Sequence, residues 1–103
     1  MAVTAAYLAK IRRGVRIQSD TDFDAELTDI IEECRLDLQA VGVTSTAAND
    51  ESDSLVLGAV RSFARWKFPI NEKTAEQNRG DYMLQRDEMR RRTGYMEEDD
   101  VET

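Results

Sequence analysis

Two adjacent stretches in the second half of the chain differ sharply in how much of a helix they make apolar, and this limits the folds open to it. Residues 53–68 (DSLVLGAVRSFARWKF) are apolar around much of a helix, whereas residues 72–93 (EKTAEQNRGDYMLQRDEMRRRT) carry a thin apolar stripe among many charges. A helix that is apolar on several sides needs several neighbours, and a long polar one seldom folds alone. The 103 residues allow one domain with a small core, burying roughly 60–70% of the unfolded surface. Other copies of the chain are therefore expected to supply the missing neighbours.

The breaker count points the same way. Five glycines and one proline, Pro69, suit helices and leave too few turns for a sandwich or barrel. The expected fold is all-α: a small bundle of about four helices with a long, partly unpacked C-terminal helix. Residues 1–96 form one domain on this reading, and the acidic tail 97–103, opening Glu97-Glu98-Asp99-Asp100, is expected to be disordered.

The first helix is expected over 4–13, capped by Thr4 and stopped by Gly14 in a left-handed conformation. An extended link, VRIQSD, follows. Thr21-Asp22-Phe23-Asp24 fits an S/T-x-x-acid cap. From there Phe23, Leu27, Ile30, Ile31, Cys34, Leu38 and Val41 fall on one helical face, which Gly42 ends. Residues 43–52 show no periodicity and read as a flexible loop that orders on assembly. Asp50, Ser52 or Asp53 can cap the third helix, which ends near Lys67 or Phe68 because the residue before a proline avoids the α region. Asn71 can cap the fourth helix, where Gly80 marks a potential kink and Gly94 a stop. Ala75, Tyr82, Met89 and Met96 recur every seven residues along it.

Charge and residue types exclude more functions than they indicate. A net charge of −7 opposes tight duplex binding, which relies on neutralising phosphates, but suits a surface past which DNA slides. The chain has no histidine, the commonest general base and zinc ligand. Asp29, Glu33 and Asp37 share a helical face, but a solvated surface explains them better than a metal site. No phosphate-binding glycine loop occurs, and Arg79-Gly80-Asp81 lies within a helical pattern. No enzyme activity, cofactor or metal is expected. Cys34, the single cysteine, falls on an apolar face and reads as packing. No apolar run reaches membrane-span length and the start of the chain shows no signal-peptide core, so a soluble, intracellular protein without membrane contact is expected.

The residues left over form the candidate partner interface. Phe63 and Trp66 belong to the apolar stripe of the third helix. Tyr82, Met89, Tyr95 and Met96 have little apolar surface left to meet inside one subunit, and Tyr and Met favour interfaces. Arg12, Arg13 and Arg16 concentrate positive charge near the start of the chain. Arg90, Arg91 and Arg92 do so near its end, where they either meet an acidic neighbour or satisfy the helix dipole and the tail.

The succession of the acidic helix start Asp20–Asp24, ELTDIIEECRLDLQAVGV, the loop, LVLGAVRSFARWKF and the polar helix ending GDYMLQRDEMRRRTGYM resembles the small head–tail connector proteins of long-tailed bacteriophages. The resemblance spans roughly residues 4–96 and rests on helix order and spacing. It implies a structural virion protein, also called an adaptor or head completion protein. Such a subunit joins a homo-oligomeric ring, commonly twelvefold, between the portal and the stopper or tail completion protein. It extends the DNA channel without sequence-specific binding and is located in the virion after assembly in the host cytoplasm. The free subunit is expected as a soluble monomer, and residues 72–103 as the segment that engages neighbours or portal. The chain is compact beside some relatives, so its portal-binding arm is expected to be short. Two readings from other classes stand beside this one. The first is an acidic helical regulator or DNA mimic that binds a basic host partner. The second, weaker, is a small metal-dependent enzyme.

Overall fold

The apolar stripe that begins at Phe23 becomes a helix whose buried side is Leu27, Ile30, Ile31, Cys34 and Leu38. The computed structural model describes residues 3–15, 23–68, 72–92 and 94–96. Its helices are α1 (Ala5–Gly14), α2 (Asp24–Ala40), α3 (Ser45–Ala48), α4 (Ser54–Lys67) and α5 (Glu72–Arg91). The fold is an all-α bundle; among the described residues the one extended pairing is an isolated antiparallel bridge between Val43 and Met96. No described helix is long and apolar enough to cross a membrane.

α4 is the hub, as its wide apolar arc requires. It touches α1, α2 and α5, and α5 is its most extensive neighbour. Val56, Ala59, Val60, Phe63 and Ala64 are all buried. Asp53 caps its start, accepting from the Val56 N–H at 2.9 Å, and the helix ends at Lys67 as the following Phe68-Pro69 implies. Thr4 likewise caps α1, accepting from the Tyr7 N–H at 3.2 Å.

Polar clamps fix the smaller elements. Glu51 accepts from the Thr4 backbone and side chain and from Arg35 Nη2 at 2.9 Å, joining α1, α2 and the turn before α4. Arg35 is itself buried, its guanidinium 5.4 Å from the Tyr7 ring centre. Arg65 donates to the Gly14 carbonyl at 2.7 Å, satisfying the C-terminal end of α1.

Several expectations need correction. Gly14 is not left-handed: it is the last residue of α1, and a Cβ there would come within 3.1 Å of Arg61 Cγ, so close packing explains the glycine. Gly42 and Gly94 do adopt positive φ, at 106° and 97°. At the start of α2 the expected cap turns on Thr21, which lies outside the described residues. Phe23 holds the cap position without a side-chain bond, and Arg12 clamps both Asp24 carboxylate oxygens at 2.8–3.1 Å. Residues 43–52 are not a featureless loop. Thr44 caps α3 through the Ala47 N–H at 3.0 Å, and Val43 and Ala48 are buried. Gly80 does not break α5, which runs through it without interruption. Arg16, the link around Ile17, Thr21, the turn Pro69–Asn71, Thr93 and the tail 97–103 lie outside the described residues.

Candidate assembly interface

The thin stripe of α5 sets how wide its buried face is, but not how deeply that face goes in. Asn78, Tyr82 and Met89 are buried, while Gly80, Asp81, Leu84 and Asp87 on the outer side are exposed. Tyr82 lies 5.0 Å from Phe63 and 6.3 Å from Trp66, ring centre to ring centre. Its hydroxyl donates to Asp37 at 2.5 Å, and Arg86 Nη1 reaches the same oxygen at 2.9 Å. The expectation that Tyr82 and Met89 find little apolar surface inside their own subunit is thus corrected. For Tyr82 the aromatic wall of α4 and the carboxylate of α2 supply the partners that seemed to be missing, and Met89 is buried in the same hydrophobic core. Burial pushes both the Tyr82 phenol and the neighbouring Cys34 thiol up, the thiol to about 12.

Of the three acids expected on a solvated face, Asp29 and Glu33 are exposed and Asp37 is half-buried. Asp37 faces α5, and Glu33 approaches Lys67 of α4 at 3.5 Å. Among the described residues no group of three His, Cys, Asp or Glu side chains converges as metal ligands would.

Tyr95 and Met96 are half-buried against their own subunit. The Tyr95 carbonyl accepts from the Thr44 N–H at 2.8 Å, its hydroxyl donates to Asp53 at 2.7 Å, and Met96 pairs with Val43. That hydrogen bond to Asp53, helped by burial, raises the Tyr95 pKa. Gly42 turns the chain into the clasp at a φ of 106°, which side-chain-bearing residues rarely adopt, with Met96 Cε beside it.

Arg90, Arg91 and Arg92 remain on the surface. Arg90 approaches Asp87 at 3.8 Å, while Arg91 and Arg92 share Glu88 at 3.0 and 2.8 Å. The hydrogen bonds from Arg92 and Arg91 hold Glu88 below the usual carboxylate range. Exposed ion pairs of this kind stabilise little and are easily exchanged for others.

Two residues that the sequence reading passed over are the most exposed large apolar side chains described. Leu36 on α2 is 66% exposed and Leu84 on α5 is 69% exposed. Leu36 borders an open groove of about 340 Å³ with Glu32, Gln39, Ser45 and Asn49. Both leucines are out of phase with the buried stripe of their helix, a signal present in the sequence.

A family model described as phage connector protein matches residues 7–78, well over half of the chain, from α1 into the first half of α5. No curated protein and no solved structure matches it.

Proposed function

The chain belongs to the phage connector protein family, and on that premise we propose that it is a structural subunit of a homo-oligomeric ring between portal and tail. The family match over residues 7–78 carries this reading. The ring extends the DNA channel below the portal and presents a platform to the stopper or tail completion protein. The subunit's place is the head–tail junction of the virion, reached by assembly in the host cytoplasm, and its role is mechanical rather than catalytic.

The architecture supports this reading. The subunit closes its own core through α4 and the clasp at Tyr95 and Met96, leaving its outer helix faces for neighbours. The net charge of −7 lets DNA pass without adhering. Arg90, Arg91 and Arg92 are proposed as contacts to acidic neighbouring surfaces. A DNA mimic needs a regular array of free carboxylates, and here Asp24, Asp37, Glu51 and Glu88 are held by arginines.

Deleting the gene from its phage is expected to give DNA-filled heads without tails, restored by supplying the protein. Normal virions after deletion would contradict the reading.

A further inference from the structure

We propose that neighbouring copies meet through the outer face of α2 on one and the outer face of α5 on the next. Leu36 seats against Leu84, and Asp29 lies against Arg91. This inference rests on the reading of the chain as a ring-forming connector subunit.

A single exposed leucine is ordinary and carries nothing by itself. The charges around the two leucines are what pair them. On α2 the exposed charges are Glu26, Asp29, Glu32 and Glu33, and its one cation, Arg35, is buried. The last turn of α5 carries the opposite excess. Arg91 and Arg92 share the single acid Glu88, and Arg91 is 71% exposed.

Register then selects one orientation. Asp29 precedes Leu36 by seven residues and Arg91 follows Leu84 by seven, about 10.5 Å along each axis. Antiparallel helices with the leucines opposed therefore bring Asp29 to Arg91. The same register sets Ala40, four residues after Leu36, against Gly80, four before Leu84. Gly80 has nothing of its own subunit within 4 Å of where a Cβ would be. A glycine in mid-helix costs stability, and close approach by a neighbouring helix gives this one a use. Glu32 and Glu33 meet the stretch of Asp87 and Glu88, whose charges the three arginines already offset. The two faces are different surfaces of one subunit, so the contact is heterologous, the kind that forms a ring when its rotation closes.

The test uses the full chain with portal protein, read by native mass spectrometry and sedimentation, with circular dichroism to verify folding. Asp29→Arg alone and Arg91→Asp alone are each expected to weaken association between copies about tenfold, and the double variant to restore it. In a Leu36→Cys/Leu84→Cys variant, oxidation is expected to link neighbouring copies into a ladder. Full association of both single variants, or complexes that assemble without the cross-link, would overturn the inference and leave the connector function standing. If the unaltered protein forms no multimer, alone or on portal, both the inference and the function reading fail.

Discussion

The Tyr82 hydroxyl donates to the Asp37 carboxylate at 2.5 Å while the Tyr82 ring packs on Phe63. One residue of α5 thus ties it to α2 and α4 together. Replacing Tyr82 with Phe removes one hydrogen bond and leaves Asp37 paired with Arg86, so a loss of about 1 kcal/mol is expected. Replacing it with Ser empties a fully enclosed aromatic site, with an expected cost of about 3–5 kcal/mol. Urea denaturation measures both. An undiminished midpoint for Tyr82→Ser would mean that α5 does not pack on α4 as described.

How the pattern was legible explains which parts were not. The stripe from Leu27 to Leu38 and the end of α4 before Pro69 follow from local rules, periodicity and proline sterics, so they could be read directly. Tyr82 is misplaced from sequence because its burial depends on Phe63, Trp66 and Asp37, which lie far away in sequence, and Met89 is buried in the same hydrophobic core. α3 spans only four residues, Ser45–Ala48, too few to show any period. The clasp of Tyr95 and Met96 on Thr44 and Val43 is a long-range backbone pairing with no local signature. In the candidate interface, the arginines were legible as a cluster. Leu36 and Leu84 were legible only by contrast with the phase of their own helices.

Two glycines should respond in opposite directions to alanine. At Gly42, φ of 106° and a Cβ only 2.7 Å from Met96 Cε make Gly42→Ala destabilising, by about 1–2 kcal/mol. At Gly80 the helix is regular and open, so Gly80→Ala should stabilise the monomer by about 0.5–1 kcal/mol. Thermal melts of the two variants should move apart from the parent, one down and one up. A matching fall in both would contradict the clasp and the unbroken helix of α5.

Glu51 makes stability pH-dependent. Burial alone would raise its carboxyl, but hydrogen bonds from Thr4 and Arg35 outweigh that and hold it below its ordinary value of 4.5. A carboxylate depressed in the folded state contributes fully above its unfolded value and is lost as pH falls through the folded one. The parent should therefore lose stability below pH 4.5, and Glu51→Gln should be weaker at neutral pH with a shallower acid fall. Parallel curves for the two proteins would remove Glu51 from the account.

Cys34 reports on the integrity of the core. Burial takes its thiol up to about 12, so almost no thiolate exists at pH 8 and the reagent has no access. Labelling with a chromogenic disulfide should be slow in the native protein and immediate in denaturant. Rapid native labelling would place Cys34 at the surface and contradict the packing of α2.

The central claim, that this chain is a connector subunit, is tested most directly by the mass of what it forms with purified portal protein. Native mass spectrometry should show several copies of the chain bound to one portal ring, in a single dominant stoichiometry. Portal and free monomer as the only species, across concentrations and salt, would contradict it.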